Sequence, residues 1–268
     1  MVADAPHLNG HAFRELTASE IVGELERELA HAGDAAIAFD GDGTLWSGDV
    51  GEESFVAACL AGKLSAALEP RLAREAEAFG IPSSGSASER AWQLGEAYRA
   101  GRYPELRVCE LMIWCYAGWT EAELAEHVRQ TLAQQDSKVE LYEPLVPILT
   151  GARSCSVRCI VISASPGLVV REAASPLGFS AEDIVAGYAN VERGRLSDEL
   201  SGPVPYAATK VSAGRARIGD RSWLATFGDN AFDVDMLNAA RLPVAVRPKQ
   251  RLLSVLGEVA RAVVFKAA

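Results

Sequence analysis

The sequence predicts an α/β fold: a parallel sheet core interrupted after its first strand by an all-helical block. Three observations predict it. An apolar run, Ala35 to Phe39, ends in two aspartates one residue apart; helical periodicity without strand-like runs fills 49–149; and strand–helix alternation resumes from Val157 onward. With 268 residues the chain suffices for one large domain or two modest ones. The expected division is an α/β core of 1–48 with 150–268, and a helical cap of 49–149.

Taken in order, Thr17-Ala-Ser-Glu20 opens an amphipathic helix through about Ala32, with Thr17 or Ser19 as its cap. The first strand, Ala35 to Phe39, is apolar at every position, as a strand buried on both faces requires. Helices are expected over Glu52–Ala61, Leu64–Ala78, Ala87–Ala100, Glu105–Tyr116 and Thr120–Gln134, with Pro82 to Ser88 as a loop among them. Beyond the block, Val157–Ser163, Trp223–Phe227 and Pro243–Val246 read as buried strands. Helices are expected near Val169–Ala174, Lys210–Arg217, Phe232–Ala239 and Leu252–Val264. The segment Ile184 to Leu196 reads as a small β excursion turning at Arg193-Gly194, and no internal repeat is present. A helical block inserted after the first strand of a sheet reads as a cap over whatever that strand delivers.

Composition narrows the function classes. A hydrophobic fraction of 49% with 23% charged residues is that of a soluble globular protein. The formal net charge of -10 argues against a nucleic-acid binder, which presents a basic face to phosphates. A small anionic substrate remains compatible, because a few local cations outweigh the global field. Five cysteines without metal-like clustering read as core thiols of a reduced compartment. No signal peptide and no membrane span are expected, so the expected location is cytoplasmic.

The chemistry sits at strand ends. Asp40 and Asp42, flanked by Gly41 and Gly43, fall at the carboxyl end of a buried strand, where open α/β sheets bind ligands. Paired carboxylates in a confined site repel each other unless a cation or a shared proton intervenes, and Mg2+ suits one or two carboxylates plus phosphate oxygens. A solvated Asp-Gly turn is the plain alternative. A second strand ends at Ser163, followed by Ala164, Ser165 and Pro166, so that a hydroxyl meets the free N–H groups of a helix start, a cradle for an anion. A third strand delivers Asp229, with Asp233 one helical turn later, and Lys210 opens the helix before it. Each element alone has an ordinary structural reading as a cap, a turn or a surface lysine; their order along the chain is far more specific.

Taken together, Asp40-Gly-Asp42-Gly-Thr44, Ser163, Lys210 and Gly228-Asp229-Asn-Ala-Phe-Asp233 resemble the four motifs of the haloacid dehalogenase superfamily. The helical block resembles the cap of its phosphoserine phosphatase branch. The resemblance spans Ala35 to Val246 and implies a Rossmann-like core and a Mg2+-dependent phosphomonoester hydrolase acting on a small phosphorylated metabolite. It implies Asp40 as nucleophile, forming an aspartyl-phosphate, and Asp42 as general acid and base. It implies Thr44, Ser163, Ala164 and Lys210 around the phosphoryl group, Asp40, the Asp42 carbonyl and Asp229 on the metal, and Asp233 orienting them. An acid at Asp42 favours a phosphatase over a dehalogenase.

Two positions depart from the pattern. Gly41 stands where a bulkier apolar residue is usual, and Phe232 where phosphoserine phosphatases often have Asn. For specificity, Asp49 falls where that branch keeps an acid near the substrate ammonium, Trp46 offers a cation–π face, and Arg107, ahead of Arg99 and Arg102, is the expected partner of a substrate carboxylate. Glu52 and Glu53 read as the acidic first turn of a helix, with Asp49 as its cap. Phosphocholine, phosphoethanolamine or another small phosphorylated alcohol would not need the arginine. A catalytically retired binding or regulatory module is the alternative from another class, and transfer to an acceptor other than water is a further one. Hinges for cap motion are expected at Ser47-Gly48 and Tyr142-Glu143-Pro144.

Overall fold

The computed structural model describes residues 7–8, 11–134 and 136–267. Two short strands, β1 (His7–Leu8) and β2 (His11–Ala12), pair antiparallel at the start. The sheet of the core has seven parallel strands: β3 (Arg14–Leu16), β4 (Ala35–Phe39), β5 (Arg158–Pro166), β6 (Ile184–Gly187), β9 (Ser222–Gly228), β10 (Leu242–Ala245) and β11 (Val263–Phe265). Their spatial order is β3-β11-β10-β9-β4-β5-β6. From β4 the chain moves outward through β5 and β6, then crosses back to place β9 on the other side of β4. The carboxyl end of β4 therefore lies at the reversal of strand order, where a crevice opens in parallel sheets.

β4 is buried at every residue, as its unbroken apolar run predicts. Its period-2 alternation divides it between two packed layers. Ala35, Ile37 and Phe39 face the cluster containing Ile21 and Leu25 of α1 (Ala18–Leu29) and Ile148 and Leu149 of α7 (Val146–Ser154), whereas Ala36 and Ala38 face Ile218 of α9 (Ala208–Ile218) and Met236 of α10 (Val234–Asn238). Phe39 stacks on Phe227 of β9 at 4.4 Å between centroids, tying the two strands that carry aspartates at their ends.

The block after β4 is helical: α2 (Val50–Leu60), α3 (Glu69–Ala78), α4 (Ala87–Arg99), α5 (Glu105–Trp114) and α6 (Glu121–Leu132). Their starts are capped as the sequence signals: Ser86 and Thr120 form capping boxes with Glu89 and Glu123, and Thr17 does the same for α1. α2 packs on α4, α5 and α6 around Phe55 and Ala58, and α5 lies on β5 and on a hairpin of β7 (Ala189–Glu192) and β8 (Arg195–Leu200). The outgoing and returning connections run side by side. Ser47 N–H donates to the Glu140 carbonyl at 2.8 Å and Tyr142 N–H to that of Leu45 at 2.8 Å. The chain after Tyr142 already belongs to the sheet layers, because α7 packs on α1 and β5.

Three element expectations differ. Leu252–Val264 is not one helix: α11 (Gln250–Val255) ends early and Val263–Phe265 forms a strand paired between β3 and β10, its three apolar residues buried. Leu64–Ala78 begins with a short 3-10 turn at Ala66–Leu68, set by the Ser65 cap. The excursion Ile184–Leu196 divides into β6, which joins the sheet, and the β7–β8 hairpin. Among the described residues no helix is long and apolar enough to cross a membrane.

Candidate active site

At the end of β4 the Asp40 N–H continues the ladder to the Phe227 carbonyl at 2.8 Å, so the Asp40 carboxylate emerges at the sheet edge with only 6% exposure. The next residues fold into a tight turn in which Thr44 and Leu45 N–H both donate to the Gly41 carbonyl, at 3.1 and 2.9 Å. Gly41 has a local reason: a Cβ there would lie 2.7 Å from the indole of Trp46, which fills the space a larger residue at 41 would take. Gly43 adopts φ +86° and brings its backbone so close to Asp229 that a Cβ would lie 2.1 Å from the carboxylate.

The Asp42 carboxylate has partners of its own. One oxygen accepts from Trp46 Nε1 and from the Val50 N–H, both at 2.8 Å; the other accepts from Ser165 Oγ at 2.6 Å and Ser163 Oγ at 3.4 Å. Ser163 Oγ in turn accepts from the Ser165 N–H at 3.0 Å. Three segments thus converge on one carboxylate. Ser165 was missed by sequence reasoning, although its i, i+2 relation to Ser163 on a strand places both hydroxyls on one face.

Asp40, Asp229 and Asp233 form a buried cluster whose carboxylate oxygens lie within 4.8 Å of one another. Lys210, buried at the start of α9, donates to Asp40 Oδ1 and Asp233 Oδ1, each at 2.6 Å. Lys249 reaches Asp229 Oδ2 at 2.8 Å, while Asp229 Oδ1 is buried without a hydrogen-bond partner. The other Asp233 oxygen accepts the N–H groups of Asp229 and Asn230, at 3.2 and 3.0 Å, which fixes the turn after β9. Burial pushes the Asp40 carboxyl well above the usual carboxylate range; Asp233 adds to this, and Lys210 opposes it. Asp229 is also raised by burial, against the pull of Lys249. Burial alone would lower Lys210, but Asp233 and Asp40 outweigh it and keep the ammonium charged.

Three carboxyl groups share two ammonium groups, too few cations to offset all three if ionised together. Together with the orphaned Asp229 oxygen, this hard-oxygen donor set fits a divalent cation. Asp233, expected only to orient the others, has its carboxylate within the cluster itself.

A cavity of about 830 Å3 opens above these groups, walled on the other side by the helical block. Of the remaining expected residues, Ser163, Ala164, Lys210 and Asp49 line it. Asp49 caps α2, accepting from the Glu52 N–H at 2.7 Å; burial, then the nearby Asp42 charge, push its carboxyl up to about 8. Thr44 is fully buried, its hydroxyl without a partner.

Two specificity expectations are corrected. Trp46 does not present a face to the cavity; it is fully buried, with its N–H spent on Asp42. Arg107 is turned outward and gripped by Glu75, Nε to Oε1 at 2.9 Å and Nη2 to Oε2 at 2.6 Å, and by Glu110, so it is not among the lining residues. Arg99 does line the cavity, paired with Glu52 and Glu96. Arg247, also missed, donates to the carbonyls of Gly43, Thr44 and Trp46, at 2.8, 3.3 and 3.0 Å, and stacks over Tyr142 at 3.9 Å. It fastens the turn after β4 to the returning connection.

This arrangement of strands and carboxylates defines a hydrolase class. Residues 37–238 match the model of the haloacid dehalogenase-like hydrolases, and the chain belongs to that family. Solved structures share its fold. A protein of unknown function from Bordetella pertussis Tohama I aligns with a TM-score of 0.67 at 20% identity, over 88% of this chain and 99% of that one. A haloacid dehalogenase family hydrolase from Salmonella enterica aligns with a TM-score of 0.56 at 16% identity, over 91% and 76%. A probable phosphoserine phosphatase from Vibrio cholerae aligns with a TM-score of 0.53 at 18% identity, over 86% and 60%. No match was found among curated protein sequences.

Proposed function

We propose that the protein is a Mg2+-dependent phosphomonoester hydrolase that acts on a small phosphorylated metabolite through an aspartyl-phosphate, in the manner of phosphoserine phosphatases. The observation that carries this reading is the division of labour between two carboxylates of one turn: Asp40 in the lysine-bound cluster, and Asp42 held by hydroxyl, indole and amide donors. A nucleophile and a proton carrier need such different surroundings.

In this reading Asp40, Asp229 and the Asp42 carbonyl would hold Mg2+, with Asp233 beside them. When bound, the ion would neutralise phosphoryl oxygens and favour the ionised form of Asp40. Lys210, Ser163 and the backbone at Ala164 would bind the remaining phosphoryl oxygens, and Thr44 would support the turn. Asp40 would attack phosphorus while Asp42 protonates the departing alkoxide. Asp42, then ionised, would take a proton from the water that cleaves the aspartyl-phosphate. The helical block, as a cap hinged at the paired connections near Ser47 and Tyr142, would exclude bulk water during the first step.

Phosphate release from an aryl phosphate, with Mg2+ and with chelator, tests the proposal. Activity that needs Mg2+ and vanishes in Asp40→Asn supports it. A wild-type protein silent on aryl and alkyl phosphates alike would favour a binding module instead.

A further inference from the structure

Arg247 and Lys249 leave β10 in one short segment and reach two different turns of the site, Arg247 the turn after β4 and Lys249 the aspartate after β9. The main chain of this segment is fixed to the end of β9. Val246 N–H donates to the Gly228 carbonyl at 2.9 Å and Lys249 N–H to that of Asp229 at 2.8 Å. α11 begins at the next residue and packs on the turn Ala231–Asp233. From this anchored backbone the Lys249 side chain, on the cavity wall, reaches Asp229 Oδ2 at 2.8 Å.

The two lysines of the cluster are held differently. Lys210 has 5% of its side chain exposed and two carboxylate partners, Asp40 and Asp233, each at 2.6 Å. Its departure would strip two buried carboxyl groups of their cation. Lys249 has 54% of its side chain exposed and, among the described residues, Asp229 as its one carboxylate partner. Side-chain rotation alone suffices to return its ammonium to water, because the backbone is held by other bonds.

The donor set that fits a divalent cation includes Asp229, whose other oxygen is buried without a partner. An ion bound there would place a double charge across one carboxylate from the Lys249 ammonium, and like charges so close repel strongly outside bulk water. Lys210 is locked by two acids; Lys249 is the group free to yield. We infer that Lys249 is an exchangeable counter-ion: it holds Asp229 before a divalent cation is bound, gives Asp229 up when one binds, and thereby sets the cation affinity of the site. The inference rests on the Mg2+ reading given above.

Calorimetric titration of Mg2+ and of Mn2+ into the wild type, Lys249→Met, Lys249→Arg and Asp229→Asn reads the affinity. Lys249→Met should bind about tenfold more tightly than the wild type, the scale of one charge-assisted hydrogen bond that no longer has to be broken. Lys249→Arg, which keeps the charge, should gain nothing, and Asp229→Asn should lose the binding. Loss of any nearby positive charge favours a cation to some degree, so a second readout follows the ammonium itself. Acetylation of the wild type by an N-hydroxysuccinimide ester, followed residue by residue by mass spectrometry, should quicken severalfold at Lys249 when Mg2+ is added, because the amine is no longer held against a carboxylate. Lys266, as exposed at 55% and paired with Glu15 at 3.3 Å, is the internal control and should not respond. Unchanged affinity in Lys249→Met, binding retained in Asp229→Asn, or acetylation of Lys249 that Mg2+ leaves unaltered overturns the inference while leaving the proposed reaction standing. If neither ion binds the wild type or Lys249→Met, the inference and the Mg2+ dependence of the proposed reaction fail together.

Discussion

Ser165 Oγ donates to Asp42 Oδ2 at 2.6 Å while Trp46 Nε1 holds Asp42 Oδ1 at 2.8 Å, so the carboxylate is clamped from two different elements. If Asp42 is the proton carrier of the proposed reaction, one fixed in this way can serve a leaving group on one line only. Asp42→Asn keeps the shape of the turn and removes the proton. Steady-state rates should fall by roughly 10²–10⁴-fold for an alkyl phosphate, the usual contribution of a general acid, and by much less for an aryl phosphate whose leaving group needs no proton. Equal losses on both would assign Asp42 a structural role.

Trp46→Phe removes the indole donor yet keeps an aromatic ring under Gly41. Because Asp42 would lose one of its clamps, kcat should fall by about tenfold with little change in KM, on the scale of a lost hydrogen bond to a charged group. A rise in KM alone would contradict a positioning role.

Lys210 is buried between Asp40 and Asp233. Replacing it with Met strands two carboxylates, so the metal-free protein should lose about 3–5 kcal/mol of stability in denaturant titration. A change within about 0.5 kcal/mol, typical of surface substitutions, would mean that the pair is not formed in solution.

Asp49 sets a pH dependence. Its carboxyl is raised to about 8 in the folded protein from an ordinary value of 3.8, so between these values the folded state holds the extra proton. Stability contributed by this group is therefore full below about pH 4 and lost as pH rises toward 8. The melting temperature of the metal-free protein should decline over that window, and Asp49→Asn, which cannot ionise, should flatten the decline. An equally steep profile in the variant would remove Asp49 as its source.

Much of this was legible in the sequence because strand-end chemistry is written locally. Asp40, Ser163 and Asp229 each follow an apolar run long enough to be a strand, and Asp233 and Lys210 are placed by the helical period on either side of β9. The Thr17 cap of α1 was equally plain. The strand β11 was not: Val263–Phe265 has three apolar residues after a helical stretch, a pattern that extends a helix as readily as it forms a strand. Trp46 and Arg107 failed for another reason. A side chain's direction depends on tertiary partners, and Asp42 claims the indole while Glu75 claims the guanidinium. Arg247 carries no local signal at all, since the three carbonyls it holds lie some two hundred positions earlier.

Reductive trapping of the enzyme during turnover tests the central claim most directly. Acid-quenched protein treated with borohydride and digested should yield homoserine in place of Asp40, because an acyl phosphate at that carboxylate is reduced where a free carboxylate is not. Homoserine at another aspartate, or none at all in an enzyme that is releasing phosphate, would contradict the assignment of Asp40 as the nucleophile.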